Sequence, residues 1–129
     1  MKTIWLVVPC YNEEEVLPET SKQLKNVMSS MIENGKISPE SKIAFVNDGS
    51  KDNTWNIIST LCTGDGIFAG INLSRNKGHQ NALLAGLMTA KKYADAVISL
   101  DADLQDDVNA IEKMVDNFIA GDDIVYGVR

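Results

Sequence analysis

The alternation of short apolar runs with helical patterns is the feature of this sequence that most constrains its fold. Five runs rich in Val and Ile are predicted to form strands, at residues 4–8, 42–46, 67–73, 96–100 and 123–126. Between them, apolar side chains recur at helical spacing in residues 14–34, 54–62, 80–93 and 109–120. Strands and helices that alternate in this way are joined by right-handed crossovers. The pattern therefore predicts an α/β, Rossmann-like fold, with an open, mostly parallel sheet and helices on both faces.

Two details of these segments predict how the layers pack. The apolar runs are unbroken rather than alternating, which is typical of strands buried on both faces of a parallel sheet. The third predicted helix carries small residues at Ala82, Ala85, Gly86 and Ala90. We therefore expect this helix to lie close to the sheet.

Length and composition predict one compact domain over residues 1–129. The chain has 44% hydrophobic and 23% charged residues, as globular proteins do. Its net charge of -6 disfavours binding to nucleic acid or to an anionic membrane surface. The sequence has no signal-peptide pattern and no apolar stretch near the roughly 20 residues of a membrane helix. We therefore expect no membrane segment in this chain.

The two cysteines, Cys10 and Cys62, lie in apolar surroundings and lack CxxC spacing. This pattern favours buried, reduced thiols over a disulfide. Reduced thiols fit a cytoplasmic location.

Polar turns follow four of the predicted strands, at residues 9–13, 47–50, 74–79 and 101–105. Because ligands of open parallel sheets bind beyond the carboxyl ends of the strands, these turns hold the candidate functional residues. Other phosphate and nucleophile motifs are missing. There is no Walker lysine pattern and no G-x-S-x-G, and the glycines of residues 64–70 precede a strand instead of following one. Neither ATP nor NAD binding is indicated.

Asp101, Asp103 and Gln105 are spaced two residues apart after the fourth predicted strand. In extended chain this spacing points side chains to one side, where the oxygens could share a cation. An all-oxygen set suits Mg²⁺ or Mn²⁺, which would bridge two phosphates of a leaving diphosphate.

Two other interpretations of this turn stay open. A D-x-D spacing is common in an acidic chain, and Asp106 or Asp107 could simply cap the following helix. The spacing also resembles a calcium-binding loop, although Asp106 stands where such a loop needs glycine and a strand precedes it instead of a helix.

The turns after the first two strands could bind a nucleoside. Pro9 and Tyr11 could form a flat wall against a base, and Glu13 could meet a ribose hydroxyl. Asp48 could accept a hydrogen bond from a base N–H. The same residues also fit ordinary roles, because Pro9 can end a strand, Glu13 favours a helix N-terminus and Asp48 suits a turn beside Gly49.

The turn after the third strand is positively charged. Arg75 and Lys77 precede Gly78 at the start of a predicted helix, where a phosphate would be attracted. They fit equally well as surface charges. His79 is the single histidine, which excludes a histidine-rich metal site, and we interpret it as packing or as a peripheral polar contact.

Taken together and in order, the four turns resemble the inverting family 2 glycosyltransferases of the GT-A fold. The closest resemblance is to the branch of dolichol-phosphate mannose synthase and bactoprenol glucosyltransferase. The matching segments are residues 7–13, 46–50, 74–78, 99–105 and 127–129. The likeness covers essentially the whole chain, and the joint pattern is far more specific than any single motif.

The resemblance implies roles for individual residues. The base and ribose of a UDP- or GDP-sugar would be held by Pro9, Tyr11, Glu13 and Asp48. The metal would be bound by Asp101, Asp103 and Gln105, with the Ala102 backbone beside the nucleotide. Arg129 matches an arginine that meets the diphosphate, and Arg75 matches a position less clearly tied to one contact.

The resemblance also implies that this chain is the N-terminal, nucleotide-sugar-binding part of a longer enzyme. The family continues into an acceptor-binding part that carries the general base, so the base is expected beyond Arg129 and this chain alone is expected to be inactive. The acceptor would be a hydroxyl or a polyprenyl phosphate, and the whole enzyme could lie at the cytoplasmic face of a membrane. One alternative is a non-catalytic nucleotide- or metal-binding module of the same fold. Another is a nucleotidyltransferase, which would be expected to carry a glycine-rich N-terminal loop.

Overall fold

The computed structural model of the chain describes residues 1–75, 78–103 and 108–121, without the side chain of His79. Its strands are β1 (Ile4–Cys10), β2 (Lys42–Asp48), β3 (Phe68–Leu73) and β4 (Ala96–Ser99). Its helices are α1 (Leu17–Glu33), α2 (Thr54–Gly64), α3 (His79–Ala90) and α4 (Asn109–Ile119). The strands are parallel in the order β3-β2-β1-β4, which confirms the predicted fold class. The fifth predicted strand, at residues 123–126, lies outside the described residues.

The strand order explains which face each helix covers. The chain moves from β1 to β2 to β3 in one direction, so right-handed crossovers place α1 and α2 on the same face. It then returns across the sheet to β4, which places α3 on the opposite face. Two separate apolar clusters confirm this arrangement. One contains side chains from α1, α2 and α4, and the other contains the small residues of α3.

Helix α3 packs unusually close to the sheet, as its small residues predict. A Cβ atom added to Gly86 would lie 2.4 Å from Val7 Cγ1 and 2.9 Å from Val46 Cγ2. Ala82 and Ala90 are fully buried against the same face. The backbone of α3 therefore rests almost directly on β1 and β2.

Some predicted boundaries and burial patterns were wrong. α1 begins at Leu17 instead of residue 14, because Pro18 has no N–H and fits only in the first turn of a helix. α3 ends at Ala90 instead of residue 93, and a turn follows it before the chain enters β4. β3 is not buried on both faces, because it forms one edge of the described sheet and its exposure alternates.

The cysteines are free, as predicted. Cys10 is buried, but Cys62 lies on α2 and is only half-buried, so the expected burial holds for the first alone. Within the described part of the chain, no helix has both the length and the apolarity needed to cross a membrane.

Candidate functional site

From β1 the chain adds β2 and β3 on one side of the sheet and β4 on the other, so the strand order reverses between β1 and β4. At such a point a parallel sheet opens a crevice at its carboxyl edge. β1 pairs with β2 as far as Cys10 and Asn47. Its pairing with β4 ends three residues earlier, at Val7 and Ser99. The last three residues of β1 are therefore paired on one side only.

Pro9 accounts for the early end of the β1–β4 pairing. The Val7 carbonyl accepts a hydrogen bond from the Leu100 N–H at 3.0 Å, so the backbone groups of Val7 face β4. The backbone groups of a strand alternate in direction, and those of Pro9 consequently face β4 as well. Proline has no N–H to donate there. The sheet opens at the position where its ladder lacks a donor.

A cleft of about 280 Å³ occupies this opening. Its lining residues come from the carboxyl ends of β1 and β2 and from the turns that follow β1 and β4, namely Pro9, Cys10, Tyr11, Glu13, Asp48, Asp101, Ala102 and Asp103. Every predicted site residue that the structure describes lines this cleft, with the exception of Arg75. Arg75 is exposed and follows β3, at the far edge of the sheet. Gln105, Arg129 and Lys77 lie outside the described residues.

The loop after β1 is fixed to the loop after β2 by hydrogen bonds. Asn12 has a positive φ of 52°, a conformation that Asn tolerates better than most residues. Its N–H donates to Ser50 Oγ at 2.9 Å, and its Oδ1 accepts from the Lys51 N–H at 2.8 Å. These two bonds hold Tyr11, which is 41% exposed, at the mouth of the cleft.

Thr54 and Asp52 extend this connection to Glu13. The fully buried Thr54 accepts the Glu13 N–H at 2.9 Å and donates its hydroxyl to Asp52 Oδ1 at 2.5 Å. Asp52 also accepts the N–H groups of Thr54 and Glu14. Burial alone would raise the pKa of Asp52, but these hydrogen bonds to its charged form leave the pKa below its ordinary value.

Asp48 lies at the back of the cleft with only 3% of its surface exposed. The turn after it depends on Gly49, whose φ is 68°, as expected for a sharp turn at this position. The neighbouring Asn47 fixes the same turn, since its Oδ1 accepts from the Ser50 N–H and its Nδ2 donates to Asn72.

The turn after β4 brings two carboxylates to the opposite wall of the cleft. Asp101 is half-buried and Asp103 is exposed, whereas Ala102 between them is only 2% exposed. Both residues line the cleft, but residues 102 and 103 form a turn instead of the expected extended chain. The Ala102 carbonyl accepts a hydrogen bond from Thr20 Oγ1 on α1 at 2.6 Å, and this contact is buried.

The cleft concentrates negative charge. Burial raises the pKa of Glu13, and the charges of Asp103, Asp52 and Asp101 raise it further. Burial and the nearby Glu13 also raise the pKa of Cys10, which keeps this thiol protonated and unreactive. A cation in the cleft would offset this repulsion.

The donor chemistry at Asp101 and Asp103 fits a hard divalent cation, because both supply carboxylate oxygens. Across the described ranges, however, no three or more His, Cys, Asp or Glu side chains gather closely enough to hold a metal. The third predicted oxygen donor, Gln105, falls outside those ranges. The structure therefore contains two of the three expected ligands on one wall of the cleft.

Sequence comparison decides the family. Residues 5–129 match the profile described as Glycosyl transferase family 2. The chain belongs to this family. It is 52% identical over 124 residues to "Uncharacterized glycosyltransferase YkoT" of Bacillus subtilis strain 168, which covers 96% of this chain and 37% of the relative. It is 40% identical over 127 residues to the bactoprenol glucosyl transferase of Shigella phage SfV, covering 98% and 38%.

A solved structure shares the fold. The structure of Staphylococcus aureus TarS 1-349 in complex with UDP matches 89% of this chain and 32% of its own, with a TM-score of 0.62 and 20% identity. This similarity confirms the GT-A type of α/β fold. The chain spans only 37% and 38% of the length of the two relatives named above.

Several residues that shape this family 2 cleft were missed by the sequence reasoning. Cys10 was interpreted only as a core thiol, yet it lines the cleft. Asp52 and Thr54 have a readable signal, because Asp two residues before Thr at a helix start is typical of a local side-chain turn. Thr20 has no such signal, since its partner lies 82 residues away.

Proposed function

We propose that this chain binds the nucleotide-diphospho-sugar donor and a divalent cation, Mg²⁺ or Mn²⁺, for inverting sugar transfer by a longer family 2 glycosyltransferase. The observation that carries this proposal is the single cleft that joins a wall suited to a nucleoside with a wall of two carboxylates. The family membership and the shared fold support it. In this proposal residues 1–129 form one nucleotide-sugar-binding domain.

The loops after β1 and β2 would hold the nucleoside. Tyr11 offers a half-exposed ring beside the buried Pro9, which together suit the flat face of a base. The buried Asp48 would accept a hydrogen bond from a base N–H, and Glu13 would accept one from a ribose hydroxyl. The UDP bound to TarS makes uridine the first nucleoside to test, with guanosine as the alternative.

The turn after β4 would hold the diphosphate end of the donor. Asp101, Asp103 and Gln105 would bind the cation, and the Ala102 backbone would lie beside the nucleotide. Once bound, such a cation neutralises the charge of the departing diphosphate. Arg129 would contribute positive charge to the same phosphates, whereas the position of Arg75 beyond β3 does not support a role for it there.

The acceptor and the general base belong to the whole enzyme. Relatives named bactoprenol glucosyl transferase favour a polyprenyl phosphate acceptor, presented at the cytoplasmic face of a membrane. In this proposal none of the described residues acts as the base, and the chain alone does not turn over. An activated hexose would pass to the acceptor by in-line displacement.

Calorimetry with UDP and GDP, each with Mn²⁺, Mg²⁺ or EDTA, tests the proposal. We expect binding that requires the metal and that Asp103→Ala weakens by about 100-fold or more, since a ligand carboxylate is lost. Glu33→Ala, which removes an exposed acid at the end of α1, is the matched control and should bind normally. Tight binding that is indifferent to metal would contradict the proposal. Metal-dependent binding by a full-length enzyme that transfers no sugar would favour a non-catalytic module.

A further inference from the structure

The Asp101–Asp103 turn is attached to helix α1 by a buried side-chain hydrogen bond. Thr20 lies in the first turns of α1, and its hydroxyl reaches the carbonyl of Ala102 at 2.6 Å. The two residues are 82 positions apart in sequence. Both are buried, with 3% of Thr20 and 2% of Ala102 exposed.

The geometry makes this bond relevant to the carboxylates on either side. Asp101 and Asp103 flank Ala102 directly, and the Ala102 carbonyl shares its peptide plane with the Asp103 N–H. The direction of this carbonyl therefore fixes the orientation of Asp103 relative to Asp101. A buried carbonyl without a donor is unfavourable, and the turn would rotate to satisfy it if the Thr20 hydroxyl were removed. That rotation would move the two carboxylates relative to each other.

We propose that Thr20 is a positioning residue, which sets the separation of the Asp101 and Asp103 carboxylates through the Ala102 carbonyl. This inference rests on the function proposed above. Thr20 does not line the cleft. Its effect is confined to the wall formed by residues 101–103, and it leaves the loops after β1 and β2 unchanged.

Helix α1 itself provides the matched control. Ser21 is the next residue, and it is buried to the same 3% exposure. Its hydroxyl donates to the Pro18 carbonyl at 3.0 Å, within its own helix. Ser21→Ala therefore removes a buried hydroxyl from α1 without touching the turn after β4.

The experiment compares the affinity for uridine with the affinity for UDP in the presence of Mn²⁺. Uridine tests the loops after β1 and β2, whereas UDP with Mn²⁺ also tests the wall formed by residues 101–103. In Thr20→Val we expect metal-dependent UDP binding to weaken by about tenfold or more, as when a partner that orients metal ligands is lost. Uridine binding should stay within about twofold. Thr20→Ser should retain most of the UDP affinity of wild type. Ser21→Ala should leave the ratio of UDP affinity to uridine affinity at the wild-type value. The amide resonance of Asp103, whose peptide unit contains the Ala102 carbonyl, should shift in Thr20→Val alone.

The outcomes separate this inference from the proposed function. If wild type gains nothing from Mn²⁺ in binding UDP, the proposed function fails. If wild type shows that gain and Thr20→Val keeps it, or loses uridine and UDP affinity equally, the positioning role is wrong. Circular dichroism checks that Thr20→Val folds. If it does not, Thr20→Cys, which retains a weak donor, should give an intermediate loss of UDP affinity alone, and an unchanged affinity overturns the inference.

Discussion

The two walls of the cleft are held in place by very different means. One wall, called the nucleoside wall after its proposed ligand, is formed by the loops at residues 11–14 and 48–54. It is cross-linked by side-chain hydrogen bonds from Asn12, Ser50, Asp52 and Thr54. The other wall, called the diphosphate wall after its proposed ligand, is formed by residues 101–103 and has one side-chain bond to the rest of the protein, from Thr20. This count refers to the described ranges alone.

Because of this difference, we expect the two walls to respond differently to a bound ligand. A wall held by several mutual bonds is pre-organised, and little entropy is lost when a nucleoside settles against it. A wall held at one point can adjust when a cation and a diphosphate arrive. We therefore expect substitutions at the nucleoside wall to affect stability and nucleoside affinity together. Substitutions at the diphosphate wall should affect metal-dependent affinity more than stability.

The largest effect on stability is expected from Thr54→Val, at the centre of the nucleoside wall. It leaves the Glu13 N–H and the Asp52 carboxylate without the Thr54 hydroxyl, which should lower the free energy of unfolding by about 1–3 kcal/mol. Uridine affinity should fall by roughly tenfold, measured by titration, while the gain from Mn²⁺ persists. Thr60→Val, whose hydroxyl bonds only within α2, should change neither quantity appreciably. If Thr54→Val lost only the increase in UDP affinity caused by Mn²⁺, the proposed difference between the walls would be wrong.

A smaller effect, dependent on pH, is expected from Glu13→Gln. Because the pKa of Glu13 is raised above its ordinary value of 4.5, the folded protein binds more protons than the unfolded chain in the window above 4.5. Wild-type stability therefore falls as pH rises through that window, and the stability advantage of Glu13→Gln should grow toward neutral pH. The gain should stay below about 1 kcal/mol, since solvent screens this half-buried group.

Urea unfolding of both proteins between about pH 4 and 8 measures the Glu13 effect. Glu14→Gln removes an exposed carboxylate from the same loop and serves as the control. If the stability of Glu13→Gln relative to wild type fell as pH rises, the repulsion on Glu13 would not be destabilising. Adding Mn²⁺ and UDP should reduce the advantage, because the cation would relieve the repulsion on Glu13.

The smallest effect is expected from Lys36→Gln, which removes the ion pairs of Lys36 with α4. Lys36 pairs with Glu112 at 2.5 Å and with Asp116 at 3.0 Å, so it fastens α4 to the end of α1. Exposed ion pairs contribute little, and we expect a slightly lower melting temperature in low salt that vanishes near 1 M salt. Lys22→Gln, at an exposed position of α1, should show no such salt dependence. A difference that survives high salt would mean that Lys36 acts by packing.

The sequence was sufficient to predict the parts of this site that follow from strand ends. Pro9, Asp48 and Asp101 each follow an apolar run closely, and parallel strands bring their carboxyl ends to one edge. Their convergence on one cleft could therefore be predicted from the sequence alone. The exception is Arg75, which follows a strand at the far edge of the sheet. The order of strands decides its distance from the cleft, and periodicity carries no information on that order.

The contacts that hold the walls could not be predicted in the same way. Thr20 and Ala102 meet only because α1 and the turn after β4 lie on the same face of the sheet, which is a result of folding. The helix start at Leu17 was missed although Pro18 marks it, because the apolar pattern alone extends further toward the N-terminus. The residue types at the start of a helix, such as Pro18, determine where it begins. The periodicity of apolar residues predicts only that the helix exists.

Pro9 has one more consequence, for association between chains. The last residues of β1 form a short open edge in the middle of the sheet, and an open edge invites an extended segment of another chain to add as a strand. At Pro9 that segment would find a carbonyl and a ring, but no donor. The residue at which the sheet opens therefore also disfavours the addition of a strand from another chain.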